Sequence, residues 1–219
     1  MPKCFIHPSA ALIFGAILSI LLVTALATRF ENAAWQAKVD EFRQFKGHAD
    51  IVMFGDSLTA SGHWQEMFPK LSIINRGISG ERVGSALLRL DQITAAQPRL
   101  VFIMLGINDI RRSTSPDDVA ASYGKIINRL ADVESIVVQS TLLTNSEVHN
   151  AAIKRLNSAL IALCSKAANC RFVDLNVPLS RDGSLRPDLT TDGIHLNGAG
   201  YRVWENQLRP MMAAVSAER

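Results

Sequence analysis

The sequence predicts an α/β protein built on a five-stranded parallel sheet, preceded by an N-terminal hydrophobic segment. Three observations carry this. Five short apolar runs, at 51–54, 71–75, 100–105, 135–139 and 171–175, alternate with helix-patterned stretches, as in parallel sheets with helical crossovers. Two of these runs end in a glycine followed by small polar side chains, Gly55-Asp56-Ser57 and Gly106-Ile107-Asn108. The carboxyl ends of strands are where open α/β sheets place their ligands. Ahead of the first run, residues 9–28 carry no charge at all.

A chain of 219 residues is long enough for one such domain with a sizeable core. Its 48% hydrophobic and 20% charged residues are ordinary for a globular protein. The net charge is only +3 and no Lys/Arg run stands out, so nucleic-acid binding has no electrostatic support.

Lys3 precedes the uncharged run Ser9–Thr28 and Arg29 follows it. The run reads as a signal peptide cut after Ala27, or as a membrane anchor. It has no polar face and does not fit a buried core helix. Cys4 lies before the run and does not serve a lipoprotein anchor. Under both readings the positive end stays in the cytoplasm and the remainder is exported, to the periplasm or beyond, tethered to the inner membrane if uncleaved. The expected organisation is residues 1–28 as signal or anchor, 29–47 as a connecting helix, and 48–219 as the α/β domain.

The first strand, Ile51–Phe54, leads into Ser57, a candidate nucleophile; taken alone, Gly-Asp-Ser is also ordinary turn chemistry. His63 is six residues away, on the same loop, where a base has little freedom to align. Trp64 and Phe68 read as packing residues or as walls of a substrate pocket. The second strand, Leu71–Asn75, runs into Arg76-Gly77-Ile78-Ser79-Gly80-Glu81-Arg82. A glycine amide before a helix is a ready donor to developing negative charge, and the helix Val83–Ile93 follows, with Leu87, Leu88, Leu90 and Ile93 as its apolar residues.

Pro98 breaks the chain before Leu100–Leu105, the most continuous apolar strand and hence the expected centre of the sheet. The amide of Asn108 at its end can donate to an oxyanion. Ser115 and Pro116 form the N-cap and first position of a helix to about Ala131. Strand 135–139, a helix over 147–165 with His149 facing solvent in its first turn, and strand 171–175 follow. Cys164 and Cys170 flank the last turn, where a disulfide is permitted in an exported domain and left open by the sequence. Asp192 and His195 are three apart in a turn-rich segment, so the carboxylate can orient one imidazole nitrogen while the other faces outward. A final helix, Tyr201–Val215, is expected to kink or shorten at Pro210.

Gly55-Asp56-Ser57-Leu58, Gly77-Ile78-Ser79-Gly80, Gly106-Ile107-Asn108-Asp109 and Asp192-Gly193-Ile194-His195, in this order, resemble the SGNH (GDSL) hydrolase family over residues 48–215. The second and third blocks are most similar to its bacterial branch related to platelet-activating-factor acetylhydrolase subunits. The resemblance implies a three-layer α/β/α sandwich of SGNH/flavodoxin-like type. It also implies Ser57 as nucleophile, His195 as general base and Asp192 as its orienter. The backbone N–H groups of Ser57 and Gly80 and the side-chain amide of Asn108 would form an oxyanion hole. Glu81-Arg82 replace an Asp-Thr common in relatives, which puts Arg82, with Trp64, at the expected substrate rim. No metal or organic cofactor is required.

The implied activity is hydrolysis of short acyl esters, acetyl above all, on a carbohydrate or a small ester. Alternatives are O-acyl transfer to a sugar, a lipase or lysophospholipase-type activity, and a catalytically silent envelope-binding module. The last gives no reason to keep Ser57, Asn108, Asp192 and His195 together.

Overall fold

A computed structural model describes residues 33–217. The expected cleavage or anchoring segment at 1–28, and the start of the connecting helix, lie outside them. The chain divides into two units, 1–40 and 41–219. In the first, 33–40 are helical, part of helix α1 at 33–44. The second contains the sheet and all later elements.

Five strands form one parallel sheet in the order β2-β1-β3-β4-β5: β1 (Ile51–Gly55), β2 (Ile73–Gly77), β3 (Leu100–Met104), β4 (Ser135–Gln139) and β5 (Cys170–Val173). The strand with the longest apolar run is therefore the central one, and the order reverses beside β1. Between β1 and β2 lie α2 (Ser57–Ala60) and α3 (Trp64–Met67). Between β2 and β3 come α4 (Val83–Ala86), a 3₁₀ turn (Leu87–Arg89) and α5 (Asp91–Thr94). The crossover from β3 to β4 holds α6 (Ile107–Arg111) and α7 (Pro116–Arg129), and α8 (Glu147–Cys164) precedes β5. Beyond β5 are α9 (Asn176–Leu179), the small hairpin β6 (Ser180–Arg181) and β7 (Ser184–Leu185), and α10 (Gly198–Ala217).

Alternation along β1 builds a core on each face of the sheet. Val52 and Phe54 point into a cluster with Val83, Tyr123, Ile126 and Leu156, from α4, α7 and α8. Ile51 and Met53 point into the other, with Trp64, Trp204 and Leu208, from α3 and α10. These are the three layers of an α/β/α sandwich. Ser115 Oγ accepts from Asp118 N at 3.1 Å and Pro116 follows, giving α7 its expected start. A disulfide joins Cys164 to Cys170, the pairing the sequence left open.

Five expectations need correction. The second strand lies two residues later than its apolar run, and the fifth begins one residue earlier. Helix 83–93 is broken by the 3₁₀ turn, which winds more tightly than an α-helix; Leu88 is thereby left 74% exposed and Arg89 is fully buried. Pro210 does not end α10, which runs on to Ala217. The carbonyl it leaves without a donor is that of Asn206, and both residues lie on the exposed face, where solvent can hydrate that carbonyl. Trp64, expected at the substrate rim, is 2% exposed: its indole N–H donates to Thr59 O at 2.9 Å and its ring packs edge-on against Trp204, centroids 4.9 Å apart.

Candidate active site

The site is assembled at the carboxyl edge of the sheet, loop by loop. At the end of β1 the buried Asp56 caps α2, its Oδ1 accepting from Leu58 N at 3.0 Å. This cap sets Ser57 at the first position of α2 with its side chain half-buried. Ser57 Oγ lies 3.0 Å from His195 Nε2. Across the sequence, 138 positions separate the two.

The loop before α10 presents that imidazole. His195 Nδ1 meets Asp192 Oδ2 at 2.7 Å. The other carboxylate oxygen, Oδ1, accepts from the backbone N–H groups of Ile194 at 3.0 Å and His195 at 2.7 Å. These bonds, the imidazole's foremost, hold the Asp192 carboxyl down to about 2. Thr190 Oγ1 accepts from Gly193 N and donates to His195 O, at 2.9 and 2.7 Å. Gly193 has φ +83°, and a Cβ there would come within 2.3 Å of Asn145, so this turn admits only glycine. With Nδ1–H donated to Asp192, Nε2 is the acceptor for the Ser57 hydroxyl proton.

The loops after β2 and β3 form the opposite wall. Asn75 Oδ1 accepts from Gly77 N at 2.9 Å, while its amide donates to Thr59 O and Ala60 O, each at 3.0 Å, and so ties β2 to α2. Gly80 turns at φ +75° with open space on its Cβ side. Asn108 Nδ2 donates one hydrogen to Glu81 O at 3.1 Å, which leaves the second for a ligand. Among the described residues, no acceptor takes the N–H of Ser57 or of Gly80. Asp109 Oδ2 accepts from Val83 N at 3.1 Å, and burial raises its carboxyl above the usual range.

Beneath this wall sits a charge pair with both side chains fully buried. Arg89 Nε donates to Glu81 Oε1 at 2.7 Å, and Nη2 contacts Oε2 and reaches Arg76 O at 2.8 Å. Arg89 also lies over the Phe54 ring. Asp56 is buried too, its Oδ2 unpartnered. Burial above all, aided by the nearby Glu81 and Asp109 carboxyls, pushes it up to about 7.

The structure thus brings Ser57, His195 and Asp192 into contact and sets Gly80 and Asn108 on loops joined by a hydrogen bond. Arg82 is exposed at the N-terminus of α4, beside a shallow cleft with Asp109, Thr114 and Asp118. His63 is exposed and contacts Glu66 at 2.8 Å; His149 is half-buried in the first turn of α8. Sequence reasoning missed Asn75, Asp109 and the Glu81–Arg89 pair. Only Glu81 left a signal, as a departure from the common motif. Among the described residues, no group of three His, Cys, Asp or Glu side chains is arranged to hold a metal ion.

Residues 53–203 match the family described as GDSL-like lipase/acylhydrolase. The chain belongs to that family. A curated relative, an N-acylneuraminate cytidylyltransferase of Streptococcus agalactiae, is 28% identical over 75% of this chain. The chain spans only 39% of that relative's length. Among solved structures, a protein from Streptococcus pneumonia named for platelet activating factor superposes with a TM-score of 0.81 at 24% identity, covering 88% of this chain and 99% of its own. A variant of an acetylxylan esterase from Geobacillus stearothermophilus superposes at 0.65 with 19% identity, covering 75% of this chain and 94% of its own. The two structural likenesses are likenesses of fold.

Proposed function

We propose that this GDSL-family hydrolase is a serine esterase that removes short acyl groups, acetyl above all, from a carbohydrate or a small ester. The observation that carries the chemistry is the continuous contact from Ser57 Oγ to His195 Nε2 at 3.0 Å and from His195 Nδ1 to Asp192 at 2.7 Å. Ser57 Oγ attacks the ester carbonyl as its proton passes to Nε2, and Asp192 stabilises the imidazolium. The oxyanion of the tetrahedral intermediate is received by the N–H groups of Ser57 and Gly80 and the free Asn108 amide hydrogen. Nε2–H then protonates the leaving alcohol as the C–O bond breaks, which leaves an acyl-serine. Water attacks that ester, giving its proton to His195, and the acid departs with Ser57 restored.

The support for acylated sugars is the nature of the similar proteins, one named for an N-acylated sugar acid and one for acetylated xylan. We place the enzyme outside the cytoplasm, on the uncharged run 9–28 and the Cys164–Cys170 disulfide, a bond that persists in oxidising compartments. A series of p-nitrophenyl esters from acetyl to palmitoyl tests the substrate. kcat/KM falling with chain length supports the short-acyl reading; a rise toward palmitoyl contradicts it in favour of a lipase. Turnover only when a sugar acceptor is added would identify a transferase instead.

A further inference from the structure

Beside the edge strand β2, away from Ser57 and its partners in the sequence, lies a cavity of about 390 Å³ lined by Phe42, Arg43, Lys46, Arg76, Asp91 and Gln92. That volume is within the roughly 300–1,000 Å³ of small-molecule sites. Arg76 is the unusual residue. It is 6% exposed, yet its guanidinium makes one hydrogen bond, from Nη2 to Phe45 O at 3.1 Å. Its Nε has no partner. Its guanidinium carbon lies over the Phe42 ring, 4.6 Å from the centroid.

A buried charge is ordinarily paired and hydrogen-bonded. Arg89, the neighbouring buried guanidinium, has Glu81; Arg76 has no carboxylate in contact among the described residues. Burial above all disfavours the Arg76 cation, and repulsion from the Arg89 guanidinium adds to it. Among the described residues, the carboxylate that acts favourably on Arg76 at a distance is Glu41, which is exposed and outside the lining. Arg43 and Lys46 are exposed at the mouth. With Asp91 the lone acidic residue there, the lining carries a net charge of two positive units.

We propose that this cavity binds a phosphate-bearing ligand, with Arg76 at its floor and Arg43 and Lys46 at its mouth. A guanidinium presents a planar fork that matches two phosphate oxygens. A phosphate monoester carries about −1.5 to −2 charges at neutral pH, which suits a lining that holds three cationic side chains and one carboxylate. The ligand is a soluble phosphate monoester or the headgroup of an anionic lipid.

The test is isothermal titration of the full chain in uncharged detergent micelles. The probes are inorganic phosphate, glycerol 3-phosphate, short-chain phosphatidic acid and, as a carboxylate control, acetate. Saturable binding of at least one phosphate probe with roughly millimolar or tighter affinity is expected, with acetate at least tenfold weaker. Binding by the soluble probes identifies a free phosphate ligand; binding by phosphatidic acid alone identifies a lipid. Lys46→Ala is expected to weaken binding about fivefold with unchanged Tm and unchanged p-nitrophenyl acetate hydrolysis, and Arg76→Gln to abolish it. Absence of saturable phosphate binding, or binding equal in wild type and Lys46→Ala, would overturn the site, and Lys46→Ala decides this even if Arg76→Gln fails to fold. Esterase activity is a separate readout, so failure here does not touch the proposed hydrolysis.

Discussion

The side-chain amide of Asn108 donates to the backbone carbonyl of Glu81 at 3.1 Å. This bond joins the loop after β3 to the loop after β2, so the two distal donors of the proposed oxyanion hole form one unit. It also fixes which Asn108 hydrogen faces the ligand. Asn108→Ala is therefore expected to lower kcat about 10²- to 10³-fold with little change in KM, as removal of one preorganised donor does. Steady-state kinetics on p-nitrophenyl acetate measures this; a raised KM at constant kcat would place Asn108 in ground-state binding instead.

The Glu81–Arg89 pair beneath that wall has both side chains fully buried. Glu81→Ala leaves the Arg89 cation unpaired and is expected to cost about 3–5 kcal/mol in urea unfolding. Replacing both residues with Met removes the stranded charge, so the double variant should be more stable than Glu81→Ala. Additive losses in the two single variants would show that the pair acts through separate contacts.

Asp56 gives a pH dependence of known sign. Its carboxyl is held up to about 7 when folded, against an ordinary value of 3.8. The folded state keeps a proton that the unfolded state releases, so this contribution to stability is complete below about pH 4 and is lost as pH rises to about 7. The change is on the order of 4 kcal/mol. Asp56→Asn keeps an acceptor for Leu58 N and cannot ionise. Its stability relative to wild type should therefore increase across that window in urea unfolding at pH 4.5 to 7.5. Parallel curves would mean that Asp56 is not the group responsible.

Asp192 behaves in the opposite sense. Its carboxyl is depressed to about 2 by His195, so it remains ionised through the acid limb of any activity profile. It contributes stability above about pH 4 that is lost only as pH falls toward 2. Asp192→Asn is expected to lower kcat by roughly 10³- to 10⁴-fold, because an amide no longer enforces the Nδ1–H tautomer. An activity within tenfold of wild type would show that the backbone alone orients His195.

Much of this is legible in the sequence, for identifiable reasons. Strands β1 and β3 come from uninterrupted apolar runs that end in a glycine, and the run 100–105, the longer of the two, marks the centre of the sheet. Asp192 and His195 are near neighbours, so their contact needs only a local turn. The Ser57–His195 contact is reached only through the order of the four blocks, since no local pattern spans 138 positions. What escapes are polar side chains facing inward. Arg76 stands in the last part of β2 and Arg89 in a helical turn, where apolar periodicity offers no sign of a buried cation. Arg89 is met by Glu81 from the loop after β2, and Arg76, among the described residues, only by Phe45 O and the Phe42 ring. The burial of Trp64 is hidden similarly, because Trp204, which packs against it, lies 140 positions later. The apolarity of Leu71 suggests a strand residue, yet it packs into the core from just ahead of β2.

The central claim, that Ser57 is the nucleophile activated by His195, is tested most directly by labelling with a fluorophosphonate, which traps an activated serine as a stable phosphonyl ester. Intact mass and peptide mapping of the full chain are expected to show one adduct per molecule, on Ser57, with parallel loss of esterase activity and no adduct in Ser57→Ala or His195→Ala. An adduct on another residue, or full labelling of Ser57 with activity retained, would contradict the assignment.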